Sequence, residues 1–564
     1  MMKKAMMVKK GDEEVVEVWF DFNWDMLEIV KSIPGRRFVD DRVRGKHWTC
    51  PMTDESLGIL QKAGFKLCGE LLAFLKRGPI TSDNVKELHV LGLKKKLFPF
   101  QRKGVAFIEA KKGRVLIGDE MGLGKTIQAL AWLHLHPELR PAVILCPAHL
   151  KLNWNREIHE TLPGEQNVQI LFGTDHSVPL TGDIIIVNYD ILPNKYKKYL
   201  DSAGRKRHKE IPNTGWIDFL IALKPRALII DEAHYTKNTK AFRTKGTRKL
   251  ARKIKHVIAL TGTPIVNRPI EGFNIIQMID KNVFPDFWNY VHRYCAARHN
   301  GFGWDYSGAS NQEELHGKLK NTVMLRRKKS EVLSDLPDML YSHVPMELGN
   351  ESEYDDAEAD FIRFIHKQKG EKAAEKAKKA EHLVKIEALK QLAVKGKMEQ
   401  AIQWIHSFFE NAEEDKKLVV FAVHKPVIAE VMKEFKEIAV KIDGSVSAVD
   451  RDKAVRAFQE DKTVRLFIGN IKAAGTGLTL TAATSVAFLE LPWTPGELFQ
   501  AASRCHRIGQ KNSVNVYYLL AAGTIEERIA CLLDEKGEVL NNILDGGIVK
   551  DIPLISELIK SYGR

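Results

Sequence analysis

The stretch GDEMGLGKTIQAL, Gly118–Leu130, decides how the rest of the chain is interpreted. The general phosphate-loop pattern G-x-x-x-x-G-K-[ST] needs a glycine at position 119, but Asp119 stands there and Gly118 comes one residue too early. The apolar run Val115–Ile117 precedes the stretch, and a helix is predicted from about Ile127. This strand–loop–helix order is the setting that a phosphate loop requires. Three interpretations are open: an ATP site, a degenerate relic of one, or a chance match.

The residue types in the loop suit a bound nucleotide. Backbone amides of the loop and of the helix N-terminus would face an anion. Lys125 would reach the β- and γ-phosphates, and the Thr126 hydroxyl would hold Mg²⁺. Gly122 and Gly124 supply a flexible backbone, so a glycine at 119 is dispensable. For Asp119 itself the prediction is a hydrogen bond that fixes the loop.

A second acidic motif follows about a hundred residues later, where the apolar run ALII ends in the sequence DEAH, residues 231–234. A carboxylate at the tip of a buried strand is where a Mg²⁺ partner belongs, so Asp231 would bind the ion. Glu232 would orient or deprotonate the attacking water. No second histidine stands at ligand spacing from His234, so a hydrogen-bonding role is favoured over a metal-ligand role.

Two parts of the chain alternate short apolar runs with helical stretches. The first contains RVLI, AVILC, DIIIV, ALII and VIAL, and the second contains LVVF, VRLFI, SVAFL and VNVYYLL. Alternation of this kind predicts parallel sheets with crossover helices. We therefore predict an α/β fold with a first α/β unit over 91–285, helical protrusions and a linker over 286–404, and a second α/β unit over 405–535. A small α+β module over 1–90 precedes them, and a helical tail over 536–564 follows.

Further candidate residues lie at the ends of these runs. VIAL ends in Thr261-Gly262-Thr263-Pro264, whose small hydroxyl side chains would relay the state of the nucleotide, although the segment also fits a simple turn. In the second unit, Arg504 and Arg507 would share one face if their segment is helical. Arginines aimed at a γ-phosphate would stabilise negative charge in the transition state. The small-residue loop that starts at Lys472 and contains Gly475 and Gly477 would let a backbone approach a ligand closely.

Charge and cysteine content narrow the class of protein. The 564 residues carry a formal net charge of +14, which favours nucleic acid as a partner, although a solvated basic surface is the alternative. The six cysteines form no C-x-x-C pair, so zinc and a disulfide framework are disfavoured and an intracellular protein is expected. This means cytoplasmic in a bacterial or viral host and nuclear in a eukaryotic one. No run of eighteen apolar residues is present, so no membrane span is predicted.

The N-terminal block interleaves basic and aromatic residues. Two short β-like pieces lie around a charged turn here, and the segment mixes Arg36, Arg37 and Arg42 with Phe38 and Trp48. Such interleaving suits a nucleic-acid surface, because cations meet phosphates and rings stack on bases. For the two aromatic side chains themselves, a place in the core is the favoured interpretation.

Taken together, these pieces resemble the helicase core of superfamily two and, within it, the Swi/Snf-type DNA translocases. The motifs are FPFQRKGV (98–105), DEMGLGKT (119–126), DEAH (231–234), LTGTP (260–264), LRRKKSEVLSDLP (325–337) and HRIGQ (506–510). In that family the phosphate loop is usually written with the aspartate, so Asp119 is the family's own variant. The segment FLELPWTPGELFQAASRCHRIGQ looks most like the HARP-domain annealing-helicase branch, and the N-terminal block is similar to a HARP-type module.

The resemblance implies two RecA-like lobes and a role for each matching residue. Gln101 would read the adenine edge, and Gly475 and Gly477 would border nucleotide and DNA. Arg504 and Arg507 would be the arginine fingers, which stabilise negative charge at the γ-phosphate. The expected residues of the ATP loop are Asp119, Met121, Gly122, Leu123, Gly124, Lys125 and Thr126. The residues expected to couple hydrolysis to movement are His234, Thr261 and Thr263. The residues expected to contact DNA are Arg36, Arg37, Arg42, Lys472 and Trp493.

The expected function is an ATP- and Mg²⁺-dependent double-stranded DNA translocase that remodels or anneals branched or forked DNA, acting as a monomer on duplexes, forks or junctions. One departure is that Ala502 and Ser503 replace the two acids of the family's Q-A-E-D-R, which bears on the efficiency of coupling. The rivals are a strand-separating helicase, a nucleosome remodeller and a non-catalytic DNA-binding scaffold. A C-terminal nuclease is disfavoured, because only about thirty residues follow the second unit.

Overall fold

The computed structural model describes residues 3–10, 13–78, 80–81, 84–200, 205–262, 268–299, 301, 303–333, 336–359, 381–474 and 478–545. The predictions for Thr263, Gly475 and Gly477, and for the tail beyond residue 545, lie outside these residues. The chain forms two compact units. The first comprises residues 1–118, 126–148 and 157–326, and the second comprises residues 119–125, 149–156 and 327–564.

The N-terminal module combines helices with a mixed sheet, which agrees with the predicted α+β class. Its strands are β1 (Lys3–Lys10), β2 (Glu13–Phe20), β3 (Arg37–Asp41), β4 (Gly45–Pro51) and β5 (Lys66–Leu67), in the order β3-β4-β2-β1-β5. Its helices are α1 (Trp24–Ser32), α2 (Asp54–Lys62) and α3 (Gly69–Arg77). The alternation of β2 buries Val16 and Val18, and the Asn23 side chain caps α1 by accepting from the amide of Met26 at 3.1 Å.

The prediction that both aromatics of the β3–β4 hairpin belong to the core is wrong for one of them. Phe38 is 53% exposed, whereas Trp48 packs against the core of the module. The two rings contact each other edge to face, with centroids 5.4 Å apart. Because β3 lies at the edge of the sheet, Phe38 lacks a neighbouring strand on one side.

The first unit also contains a parallel sheet with crossover helices. Its strands are β6 (Arg114–Ile117), β7 (Ala142–Cys146), β8 (Val168–Ile170), β9 (Ile184–Asn188), β12 (Ala227–Asp231), β13 (His256–Leu260) and β16 (Met324–Leu325). The associated helices are α4 (Pro99–Ala110), α5 (Lys125–Leu135), α6 (Lys151–Thr161), α7 (Ile217–Ala222), α8 (Phe242–Ala251), α9 (Ile270–Ile279), α10 (Phe287–Tyr294) and α11 (Gln312–Thr322). The strand order is β16-β6-β13-β12-β7-β9-β8, with every pair parallel. Every residue of β7 and β9 is buried, as expected for a sheet covered on both faces.

Two antiparallel hairpins interrupt this unit. One consists of β10 (Lys195–Leu200) and β11 (Lys206–Ile211), and the other of β14 (Arg298–His299) and β15 (Trp304–Asp305). The first hairpin follows β9 and precedes α7, inside the predicted first α/β unit, and no apolar run in the sequence predicts its two strands.

The second unit is built on another parallel sheet. Its strands are β17 (Met339–Met346), β18 (Leu418–Ala422), β19 (Ala439–Ile442), β20 (Leu466–Asn470), β21 (Ser485–Phe488) and β22 (Val514–Ala521). Its helices are α12 (Lys329–Val332), α13 (Glu351–Ala359), α14 (Glu381–Glu410), α15 (Lys425–Glu434), α16 (Ala448–Glu460), α17 (Ile471–Ala474), α18 (Pro495–Ala502) and α19 (Ile525–Asp545). The order β17-β22-β21-β18-β20-β19, parallel throughout, confirms the predicted α/β fold with two parallel sheets.

The region between the two predicted α/β units is not only helical. It contributes β16 to the sheet of the first unit and β17 to the sheet of the second. Neither strand is an obvious apolar run, because β16 has two residues and β17 is an edge strand that is largely exposed. Pro345 lies within β17, and proline is tolerated in a sheet mainly at such an edge.

Among the residues that the model describes, no helix has both the length and the apolar character needed to cross a membrane.

Candidate nucleotide-binding site

The loop 119–125 has the backbone of a phosphate-binding turn. Gly122 and Gly124 have φ values of 93° and 74°, in the left-handed region that favours glycine. A Cβ on Gly122 would lie 3.1 Å from Arg507 Cγ and 3.3 Å from Lys329 Cε, so the position is also sterically tight. Helix α5 begins at Lys125, whose Nζ donates to the carbonyls of Asp119 at 2.8 Å and Glu120 at 3.3 Å. A helix N-terminus, a lysine and two left-handed glycines together fit an anion.

Asp119 is fully buried and makes a hydrogen bond of the kind predicted for it. Its Oδ1 accepts from Nε of Arg327 at 3.0 Å, and its Oδ2 accepts from a second guanidinium nitrogen of the same arginine. A two-pronged pair of this kind fixes the orientation of both groups. The next residue continues the attachment, because the amide of Glu120 donates to the carbonyl of Arg327 at 3.0 Å. The carboxylate therefore holds the loop against a segment 208 residues away.

The same segment supplies a buried lysine. Lys329 is 4% exposed, its amide donates to Glu120 Oε2 at 2.8 Å, and its Nζ donates to the carbonyl of His506 at 2.7 Å. His506 Nε2 lies 2.6 Å from the carbonyl oxygen of Pro337, which only accepts, so Nε2 carries the proton and Nδ1 accepts from Lys329. Burial lowers the pKa of Lys329 to about 8, and Glu120 partly opposes this change.

The DEAH segment of the first unit has its own constrained geometry. Strand β12 ends at Asp231, whose Oδ1 accepts from the amide of Glu232 at 3.0 Å. Glu232 has φ 50° and ψ 51°, a left-handed backbone that is strained for a residue with a side chain. The hydroxyl of Tyr189 donates to the carbonyl of Asp231 at 2.6 Å, and burial raises the pKa of this tyrosine well above its usual value. Tyr189 therefore stays protonated and anchors the strand end.

His234 lies between two of the predicted site residues. Its Nδ1 is 3.0 Å from Thr261 Oγ1 and 3.3 Å from Glu232 Oε2. Thr261 follows β13 and is fully buried. Within the first unit, the structure thus brings together the carboxylate of Glu232, the imidazole of His234 and the hydroxyl of Thr261.

An arginine for which the sequence motifs indicate no individual role fastens the same region. Arg326 donates from Nη1 to the carbonyls of Gly118 at 3.0 Å and Gly262 at 3.2 Å. Gly118 directly follows β6 and Gly262 lies two residues after β13, so one guanidinium ties the exits of two neighbouring strands. The signal was present in the two arginines that follow the apolar pair of β16.

Comparison with known proteins identifies the family. The model of the SNF2-related domain matches residues 100–398, and the model of the helicase conserved C-terminal domain matches residues 379–509. The first match alone covers more than half of the chain. The chain belongs to the SNF2-related family. This confirms the Swi/Snf-type resemblance, and membership implies use of a nucleotide.

Two curated relatives illustrate the branch. The chain is 34% identical over 450 residues to the SWI/SNF-related matrix-associated actin-dependent regulator of chromatin subfamily A-like protein 1 of Xenopus laevis, covering 79% of this chain and 44% of that protein. It is 33% identical over 482 residues to the DNA annealing helicase and endonuclease ZRANB3 of Homo sapiens, covering 82% and 42%. The second name agrees with the annealing-helicase branch inferred from sequence. The chain spans less than half the length of these two relatives.

A solved structure is also similar. It is the Sulfolobus solfataricus SWI2/SNF2 ATPase core in complex with dsDNA, which is 24% identical with a TM-score of 0.39. The similarity covers 82% of this chain and 96% of that one.

The two arginines expected to be fingers of this SNF2 chain do not share a helix. Helix α18 ends at Ala502, so Arg504 and Arg507 lie in the turns that follow, and the helical segment on which a shared face depends does not reach them. Arg504 is 2% exposed and its Nε donates to the carbonyl of Gln500 at 2.9 Å. Arg507 is half-buried and donates from Nη1 to Thr479 Oγ1 at 3.1 Å. The two guanidinium groups therefore have different surroundings.

The departure from the family pattern also has a structural correlate. Ala502 and Ser503 are 1% and 3% exposed. A carboxylate at either position would be buried and would need a charged partner. Small neutral residues avoid that requirement.

The other predicted contacts fall into two groups. Among the nucleotide candidates, Gln101, Met121 and Leu123 are buried and Thr126 is half-buried, and Gln101 Oε1 accepts from the amide of Phe98 at 3.0 Å. Among the DNA candidates, exposed side chains belong to Arg36, Arg37, Arg42 and Lys472. Trp493 is half-buried, and Nζ of the buried Lys390 lies 4.7 Å from its ring centroid.

The described residues contain no group of three or more histidine, cysteine, aspartate or glutamate side chains placed to hold a metal. A site for Mg²⁺ would need different donors. Thr126 and Asp231 offer a hydroxyl and a carboxylate, which are the hard oxygen ligands that this ion takes together with phosphate oxygens.

Proposed function

We propose that this protein is an ATP-dependent double-stranded DNA translocase that remodels or anneals branched or forked DNA. The observation that carries the proposal is the phosphate loop, with its two left-handed glycines and Lys125 at the start of α5, in a chain of the SNF2-related family. The similarity to a relative named as a DNA annealing helicase and endonuclease supports the DNA substrate. An intracellular location and a monomeric state are part of the proposal.

In the proposed reaction, the loop amides and Lys125 bind the phosphates of ATP, and Gln101 contacts the adenine edge. Thr126 and Asp231 would hold Mg²⁺, which when bound supplies positive charge at the β- and γ-phosphate oxygens. Glu232 accepts a proton from the attacking water, and its strained backbone suits a carboxylate held in one direction. Arg504 and Arg507 stabilise the charge that develops on the transferred group. Met121 and Leu123 contribute through backbone amides, because their side chains are buried.

Coupling of hydrolysis to movement is proposed to pass through His234. The imidazole of His234 lies between the carboxylate of Glu232 and the hydroxyl of Thr261. A movement or change of charge at Glu232 would therefore reach Thr261 and, through the chain, Gly262 and Thr263. On the DNA side, the proposed contacts are Arg36, Arg37, Arg42, Lys472 and Trp493, with Gly475 and Gly477 bordering both ligands. Such contacts would depend strongly on salt and little on base sequence.

A conservative change at Thr261 tests the coupling. In Thr261→Val the side-chain volume stays but the hydroxyl that contacts His234 is lost. We expect basal ATP hydrolysis to remain, while the ratio of DNA-stimulated to basal rate falls about fivefold, the equivalent of one hydrogen bond. Thr261→Ser retains the hydroxyl and is the matched control. An unchanged ratio in Thr261→Val removes Thr261 from the coupling route.

The function as a whole is tested by the ATPase rate on single-stranded, duplex and forked DNA of equal length. We expect duplex and forked DNA to stimulate hydrolysis at least about tenfold over the DNA-free rate, with forked DNA at least as effective as duplex. Strand annealing against strand displacement on the forked substrate then separates an annealing translocase from a strand-separating helicase. If no phosphate is released in the presence of any of these DNAs, the protein is better described as a non-catalytic DNA-binding scaffold.

A further inference from the structure

The β10–β11 hairpin carries an unusual density of positive charge. We call its strands, Lys195–Leu200 and Lys206–Ile211, the basic ribbon. Among its described side chains, the exposed cations are Lys195, Lys197, Lys198, Arg207 and Lys209. Glu210 is the one carboxylate within the two strands, and it lies at the base of the ribbon.

The base of the ribbon is fixed to the body of the first unit by polar contacts. Asn194 Nδ2 donates to Glu210 Oε1 and to Asp218 Oδ2, both at 2.7 Å. Nζ of Lys249 pairs with the same two side chains at 3.0 Å each. The carboxylate of Glu210 is therefore neutralised locally and does not balance the cations farther along the strands.

Aromatic contacts decide which face of the ribbon points to the body. Tyr196 stacks on Phe242 of α8, with ring centroids 4.1 Å apart and planes 8° apart, and His208 meets the same ring edge to face. Because side chains alternate along a strand, Tyr196 and His208 share one face and their sequence neighbours form the other. The outward face is then made by Lys195, Lys197, Tyr199, Arg207, Lys209 and Ile211.

The outward face places like charges directly opposite each other. Lys197 pairs in register with Lys209, which is the like-charge pair; the next pair on this face joins Tyr199 and Arg207. Like charges at directly opposed positions destabilise a sheet. Neither Lys197 nor Lys209 forms an ion pair with any residue that the model describes. Folding alone disfavours this arrangement, whereas a polyanion lying across both strands would stabilise it.

We propose that the outward face of the basic ribbon binds the phosphate backbone of duplex DNA. A two-stranded ribbon fits the major groove, and the exposed ring of Tyr199 lies among the cations as in nucleic-acid surfaces. The inference rests on the proposed function and adds a DNA contact that the motifs of the family do not include.

The test is Lys197→Glu, because this substitution should weaken the binding of duplex DNA without lowering the stability of the fold. The substituted carboxylate faces Lys209 across the ribbon, so the thermal midpoint of unfolding should not fall. The affinity for a 30-base-pair duplex should fall about tenfold at 0.1 M salt. The slope of log Kobs against log salt should become shallower by about 1, which is the loss of one phosphate contact. Lys197→Arg keeps the charge and should bind like the unmodified protein.

Lys433→Glu is the matched control, since Lys433 is an exposed lysine of α15 and the substitution changes the net charge equally. Duplex affinity and salt slope in Lys197→Glu equal to those of Lys433→Glu would overturn the ribbon as a DNA contact and leave an acidic protein as its ligand class. The unmodified protein separates this failure from that of the proposed function. If it neither binds duplex nor shows DNA-stimulated hydrolysis, the proposed function itself fails.

Discussion

Lys125→Ala and Glu232→Gln should each lower the rate of DNA-stimulated ATP hydrolysis at least about 100-fold, while binding to duplex DNA persists. The first removes the ammonium at the start of α5, which contacts the carbonyls of Asp119 and Glu120 and would turn to the phosphates. The second keeps the size of the side chain but removes its ability to accept a proton. Phosphate release with and without duplex measures the rate, and fluorescence anisotropy of a labelled duplex measures the binding.

Lys103→Ala is the control for these two variants, because Lys103 is an exposed lysine of α4 in the same unit as the DEAH segment. Its rate should match that of the unmodified protein. Undiminished hydrolysis in Glu232→Gln would remove Glu232 from the reaction and with it the assignment of the DEAH segment.

Asp119→Ala should lower the free energy of unfolding by about 3–5 kcal/mol, because the guanidinium of Arg327 stays buried after its carboxylate partner is removed. The measurement is urea denaturation followed by tryptophan fluorescence. The double variant Asp119→Leu with Arg327→Met replaces both charges by apolar side chains and should recover most of the loss. Equal destabilisation in the single and double variants would contradict a pairing role.

Asp119→Gly asks a separate question at the same position. It restores the general phosphate-loop pattern in sequence, but it removes the contact that orients the loop. We expect slower hydrolysis than in the unmodified protein, and an unchanged rate would limit Asp119 to folding.

Much of the fold could be predicted because buried parallel strands are continuous apolar runs. The strands β6, β7, β9, β12 and β13 all coincide with runs recognised in the sequence. The strands β16 and β17 could not be predicted from apolar runs, because a strand of two residues and an exposed edge strand have no such pattern. The basic ribbon escaped because its alternating lysines, tyrosines and arginines resemble any solvated loop until the pairing register is known.

The candidate site was predictable in its local motifs but not in its long-range partners. Lys125 and the DEAH carboxylates stand in short patterns whose chemistry can be read residue by residue. The partner of Asp119 stands 208 residues away, and nothing local marks Arg327 as that partner. The spacing of Arg504 and Arg507 is compatible with one face of a helix, but α18 ends before both residues. Arg504 is buried in the turn that follows this helix, and residue spacing alone does not encode such burial.

The left-handed backbone of Glu232 implies a trade-off between stability and activity. Glycine would adopt φ 50° with less strain, and asparagine is the more usual alternative to glycine in that region. A glutamate there lowers the stability of the native state, so sequences selected for stability alone would drift away from it. A glutamate at this position is what selection for a carboxylate, at the expense of a relaxed turn, would produce.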